Sequence, residues 1–302
     1  MNNKSVLPQF ENVSDGLLAR APAKINLSLL IADKRPDGYH NLETLMAKVA
    51  FYDDLFFEIS KTKEIKLVCK GLWSPQGNDN LVYKAADLFY KTIDKEPAVK
   101  ITLTKNIPAG SGLGGASSDA ATTLLALNKL HGRLLNEDKL YELTARLGSD
   151  VSFFLNGPLA LCSGRGEKVE RIDKIDSFTA ILVLPDVNIS TKKVYDNFKV
   201  DLELFNKLHE QIKDYILRGR IDLVQEICAN MLAKTCFLLD NRLALLQVKI
   251  HEIIKLSVCL SGSGSALFAI LDDENYHNIE FFQREIKDSL GCNSIIVFNN
   301  EW

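Results

Sequence analysis

The chain of 302 residues is 46% hydrophobic and 25% charged, ordinary globular usage with length for one large or two medium domains. Its 36 basic and 39 acidic residues leave a formal charge of −3, so no global positive field recruits nucleic acid or an anionic membrane, and an anionic ligand has to be held by local groups. No window approaches the roughly 18 apolar residues of a membrane span, and the polar start "MNNKSVLPQFENVSDG" lacks the apolar run of a secretion signal; a cytoplasmic protein is expected.

Residues 1–16 are polar and without period, which suggests a frayed extension. From Leu17 a strand follows, in which Ile25, Leu27 and Leu29 alternate with Lys24, Asn26 and Ser28; if half-buried, it aims the polar three at one face. "VAFYDDLFFEIS" and "EIKLVCKG" read as strands, "NLVYKAADLFYKTI" as a helix, and "AVKITLTK" as a strand feeding the glycine-rich stretch "NIPAGSGLGGASSDAA". The next helix buries Ala120, Ala121, Leu124 and Leu127 and stops at Gly132; Asn136 caps another that ends at Gly148. "LALCSGRGEKVERI" suggests a hairpin turning at 164–166. From Phe178 come a strand "TAILVLP", helices over about 191–254, strands "SVCLSGSG" and "ALFAIL", a helix "ENYHNIEFFQREIK" and a strand "NSIIVF". This mixture predicts two layered domains, 1–176 and 177–302. The six cysteines, Cys69, Cys162, Cys228, Cys236, Cys259 and Cys292, show neither CxxC nor zinc spacing, and free thiols are expected.

Glycines let backbone amides approach a ligand closely, and a helix N-terminus adds unpaired N–H groups and partial positive charge. Strand, glycine loop and Ala/Leu helix in that order make a polyphosphate cradle, to which Lys105 and the Ser111, Ser117 and Ser118 hydroxyls add donors or hold a metal. A plain turn with Ser117 or Ser118 capping the helix is the bland alternative. Gly110, Gly112 and Gly115 fit G-x-G-x-x-G, but Pro108 interrupts the tight turn and a second helix stands where a dinucleotide fold needs a strand. Neither a Walker loop nor the protein-kinase motifs occur.

Three segments, "APAKINLSL", "IPAGSGLGGASSDAA" and "CLSGSGSALFAI", resemble in order and spacing the superfamily of galactokinase, homoserine kinase, mevalonate kinase and phosphomevalonate kinase over nearly the whole chain. "RPDGYHNLETLM" and "LGSDVSFFLNG" narrow the resemblance to members that phosphorylate a cytidine diphosphate-linked methylerythritol for non-mevalonate isoprenoid synthesis. The resemblance implies an α+β, two-domain small-molecule kinase fold: an N-terminal α/β domain, a C-terminal ferredoxin-like domain and an active cleft between them. It implies ATP and Mg²⁺ as cofactors, with Lys24 and Asp150 catalytic. The triphosphate would lie over Lys105, Pro108, Ala109, Gly110, Ser111, Gly112, Leu113, Gly114, Gly115, Ala116, Ser117 and Ser118. Asn26, Tyr39, His40, Thr191 and Tyr195 would meet the acceptor, and 261–265 would close the site; magnesium ligands and oligomeric state stay open. Ser111, often glycine in relatives, and Ser152, often proline, are departures, as is the long N-terminal extension.

Without the resemblance, Asp150 reads equally as the cap of a short turn, Lys24 as a solvated strand residue and Asp37-Gly38 as a tight turn. Rivals are another kinase of the superfamily, a non-catalytic nucleotide-binding regulator on the same scaffold and, weakest, a nicotinamide dehydrogenase.

Overall fold

The computed structural model describes residues 6–155, 157–172 and 177–302. The expected domain boundary near residue 176 falls on 173–176, outside the described residues. The N-terminal half contains β1 (Phe10–Val13), β2 (Gly16–Lys34), β3 (His40–Ile59), β4 (Ile65–Gly71), α1 (Leu81–Thr92), β5 (Val99–Lys105), α2 (Gly115–Leu130), α3 (Glu137–Leu147), β6 (Leu159–Gly164) and β7 (Lys168–Arg171). The C-terminal half contains β8 (Thr179–Leu184), α4 (Thr191–Asn197), α5 (Leu202–Leu217), α6 (Ile221–Glu226), α7 (Ala233–Leu239), α8 (Asn241–Ile254), β9 (Cys259–Leu260), β10 (Leu267–Leu271), α9 (Asp273–Tyr276), α10 (Ile279–Leu290) and β11 (Asn293–Phe298).

A seven-stranded sheet is built on the long antiparallel pair β2 and β3. β3 shares itself out: residues 54–59 pair with β5, and 42–47 pair with β6. Residues 10–13, expected to be frayed, instead pair with β2, because Gly16 and its neighbours turn the chain directly back along the strand. The four C-terminal strands run antiparallel in the order β11-β8-β10-β9. Numbered within that half the order is 4-1-3-2, the ferredoxin-like arrangement.

The alternation of β2 leads to expect one wet face, yet residues 23–31 are buried on both. Leu17, Ala19 and Ala21 belong to an apolar cluster with α1 and α2, while Ala23, Ile25, Leu27, Leu29, Leu30 and Ile31 join a second with β8, β10 and the C-terminal helices. Lys24, Asn26 and Ser28 are therefore enclosed, at 3%, 5% and 1% exposure. The helix expected over 274–287 breaks at His277 and Asn278 into α9 and α10.

Cys228 and Cys259 form a disulfide, with Cα atoms 5.1 Å apart, which corrects the expectation of six free thiols. They are 31 residues apart in sequence, and the chain ahead of α7, where Asn230 bridges to Leu29 of β2 and donates to the Leu260 carbonyl of β9, brings them together. Cys69, Cys162, Cys236 and Cys292 are free.

Lys48 on β3 is 1% exposed and gives its ammonium to the main-chain oxygens of Phe154 and Trp302, each at 3.3 Å. Burial, with Arg171 adding like charge, lowers its pKa to about 7. An unfolded lysine titrates near ~10.4. Between the two values the folded chain binds fewer protons than the unfolded one, so this group makes stability rise with pH above about 7 and costs stability below it. Lys48→Met should flatten that rise in denaturant titrations across the interval, gaining most relative to wild type at the acid end.

Candidate active site

The loop between β5 and α2 is shaped by backbone rather than side chains. Gly114 caps α2 in a left-handed conformation with no side-chain cap, so the N–H groups of the first turn stay open toward a cavity of about 940 Å³. An anion at that end meets aligned amides and the positive end of a 16-residue helix. Gly112 has φ +77 and faces the Ser261 carbonyl so closely that a Cβ would collide with it. The Ser111 carbonyl accepts from Ala266 N at 3.0 Å and the Gly112 carbonyl from Ser261 Oγ at 3.0 Å. The 261–265 loop thus lies against the glycine loop, with Gly262 and Ser263 in the cavity wall. Asn230 holds that second loop by donating to the Leu260 and Gly262 carbonyls at 2.9 and 2.7 Å.

Lys24 enters from β2. Its amide donates to the Leu113 carbonyl at 2.9 Å, and its stem would be 3.0 Å from a Cβ on Gly114, so strand and loop are locked together. Its ammonium bonds to Asn26 Oδ1, and Asn26 Nδ2 donates to Thr44 Oγ1 at 2.8 Å. Burial lowers the Lys24 pKa, while the charges of Asp150 and then Cys162 oppose that shift. Asp150 follows α3 and the Gly148 stop; Val151, Phe153 and Phe154 behind it are buried and anchor the turn. Ser152 completes the anchor, its buried hydroxyl 2.9 Å from Thr144 Oγ1 on α3.

Asp150 also acts in the opposite direction along the cavity. Its Oδ1 lies 3.4 Å from where a Cβ on Gly166 would sit, and its charge adds to burial in pushing the Tyr195 phenol up. Tyr195 on α4 lies 6.1 Å, ring to ring, from His40, which is held by Ala32 O at 3.2 Å. Tyr39 is 56% exposed and carries the Arg165 guanidinium 5.2 Å from its ring centre. One cavity wall therefore runs from the glycine loop past Lys24 and Asp150 to a cluster of aromatic rings with a cation.

All the expected site residues line this cavity except Ser118. Ser118 sits one residue beyond Ser117, and the helical rotation turns it into the interior at 0% exposure, away from any ligand. Two expected donors are engaged elsewhere: the Ser111 hydroxyl bonds to the Pro108 carbonyl at 2.7 Å, and Lys105 Nζ is shared by Asp53 and Asp119. Thr191 meets Ser263 Oγ at 2.8 Å. Arg165 and Trp73 also line the cavity and were missed from sequence. In sequence Arg165 reads only as part of a hairpin turn, whereas Trp73, 74% exposed in a polar loop, is a legible signal.

Fold and site define a small-molecule kinase of the GHMP class, and residues 80–158 match the model of the GHMP kinases N terminal domain. A curated relative from Bacillus cytotoxicus, named 4-diphosphocytidyl-2-C-methyl-D-erythritol kinase, is 36% identical over 264 residues, covering 87% of this chain and 91% of its own. One of the same name from Geobacillus sp. is 36% identical over 259 residues, covering 86% and 89%. A crystal structure of 4-(cytidine 5'-diphospho)-2C-methyl-D-erythritol kinase superposes with TM-score 0.72 at 29% identity, over 94% of this chain and 99% of that one. Homoserine kinase from Cytophaga hutchinsonii shares the fold, with TM-score 0.74 at 17% identity, over 98% of each chain. The chain belongs to the 4-diphosphocytidyl-2-C-methyl-D-erythritol kinase family and is an ATP-dependent kinase.

Gly112→Ala tests the loop directly. A Cβ there meets both a left-handed backbone and the Ser261 carbonyl, so nucleotide affinity should fall by about tenfold or more while far-UV circular dichroism is retained.

Proposed function

We propose that the chain transfers the γ-phosphoryl group of ATP to a hydroxyl of a cytidine diphosphate-linked methylerythritol, the acceptor in its relatives' names. The observation that carries this reading is that Lys24 and Asp150 line one cavity, near enough for the Asp150 charge to act on the Lys24 ammonium, between an uncapped helix N-terminus and an aromatic cluster. The reading includes a cytoplasmic setting, where ATP is supplied.

The triphosphate lies along the glycine loop, its oxygens on the first amides of α2, and its base extends toward Trp73, Asn80 and Leu81, where the exposed indole offers a stacking face. Among the described residues no cluster of three or more His, Cys, Asp or Glu side chains could hold a metal. The half-buried Ser117 hydroxyl in the cavity wall would be available to a magnesium ion carried by the nucleotide. When bound, it neutralises charge on the transferring group. The pyrimidine packs among Tyr39, His40 and Tyr195, with Arg165 beside its diphosphate.

Phosphoryl transfer asks for in-line placement and charge stabilisation more than covalent help. Asp150 receives the hydroxyl proton or orients that hydroxyl, and the Lys24 ammonium, fixed by Asn26, stabilises charge on the phosphoryl oxygens. Because burial lowers the Lys24 pKa, the Asp150 charge helps keep it cationic for that role.

Incubation with γ-labelled ATP and the cytidine diphosphate acceptor, beside mevalonate and galactose, should move label to the first alone; transfer only to one of the others would replace this acceptor. Asp150→Asn should lower turnover by about 10² or more with folding intact, and near-normal turnover would remove Asp150 from the chemistry. Tyr39→Ala should raise the acceptor KM and leave the ATP KM in place; an unchanged acceptor KM would move the pyrimidine elsewhere.

A further inference from the structure

Beneath the glycine loop lies a charge cluster that the proposed chemistry does not use. Asp53 on β3, Lys105 at the end of β5 and Asp119 in the first turns of α2 are 0%, 5% and 3% exposed. Lys105 Nζ donates to Asp53 Oδ2 and, at 2.8 Å, to Asp119 Oδ2. The other oxygen of Asp53 accepts the amides of Asn106 at 2.6 Å and Ile107 at 2.9 Å, where the chain enters the loop. Asp119 stands where the chain leaves it.

We infer that Asp53, Lys105 and Asp119 form the positioning device of the phosphate loop, joining its entry at Asn106 and Ile107 to its exit on α2 and so setting the spacing of the amides that receive the nucleotide. Lys105 on this account is not a phosphate ligand, because its ammonium is committed to the two carboxyl groups below the loop. The inference rests on the nucleotide reading of that loop.

The charge count sharpens it. Two ionised carboxylates around one ammonium would leave a buried negative charge in the wall of a site for a polyanion, which is electrostatically costly. A proton in the contact between the two carboxyl groups removes that charge, and both burial and the neighbouring Asp53 drive Asp119 toward the protonated form. An amide at 119 reproduces this arrangement, accepting from Lys105 and donating to Asp53; an apolar side chain cannot.

Calorimetric titration of the full chain with the β,γ-imido analogue of ATP and Mg²⁺ tests this, with cytidine diphosphate as a probe of the acceptor end and thermal unfolding as a check on folding. Asp119→Asn should keep analogue affinity within about threefold of wild type, whereas Asp119→Leu and Asp53→Asn should weaken it about tenfold or more, with cytidine diphosphate binding unchanged. If the leucine variant does not fold, Asp53→Asn carries the expectation alone. Equal losses in Asp119→Asn and Asp119→Leu would overturn the shared proton. Wild-type affinity in both disruptive variants, or parallel loss of cytidine diphosphate binding, would overturn the positioning role. A wild-type protein that binds no analogue would instead remove the nucleotide reading beneath it.

Discussion

Burying an ammonium is costly unless hydrogen bonds and opposite charge compensate it, and Lys24, at 3% exposure, is the point around which this molecule is arranged. The ammonium is compensated by the Asn26 amide oxygen on the same strand and by the distant Asp150 charge after α3, while the glycine loop accepts the lysine's own backbone N–H. Each tie also fixes a component of the site. Removing solvent from Lys24 therefore aligns the anion-binding helix end, the carboxylate and the strand in one operation.

What removes the solvent is the double coverage of β2. The start of the strand packs in one apolar cluster with α1 and α2 and its middle in a second with the C-terminal half, so residues 21–31 are all buried, and Lys24 and Asn26 among them bond to one another and line the cavity. The 261–265 loop belongs to the second half and the glycine loop to the first, yet they contact through carbonyl and hydroxyl groups with no room for a side chain at Gly112. A cleft walled by both halves follows from that packing.

Much of this was legible from local pattern. Strands β2, β4 and β5, the second half of β3, the helix after the glycines, its stop at Gly132 and the Asn136 cap all rest on periodicity and capping chemistry, which act over a few residues, whereas the first half of β3, residues 40–48, was not expected as strand. Features created by tertiary contact were not legible. Alternation along β2 signalled a half-buried strand because sequence does not reveal what packs on the far face. The Cys228–Cys259 bond and the Asp53–Lys105–Asp119 cluster join residues separated by 31 and up to 66 positions with no motif between them, the second separation being 119 minus 53. Ser117 and Ser118 were interchangeable in sequence, and only the helical rotation separates the one facing the cavity from the one facing the core.

The central claim is spatial: phosphorus must come to rest between Lys24 and Asp150. A crystal structure with a non-hydrolysable ATP analogue and the cytidine-linked acceptor measures this directly. The account expects the β- and γ-phosphates on the amides at the start of α2 and the acceptor hydroxyl about 3 Å from an Asp150 oxygen, with Lys24 Nζ on the γ-phosphate side. A triphosphate bound away from the glycine loop, or an acceptor hydroxyl whose nearest carboxylate is not Asp150, would contradict it.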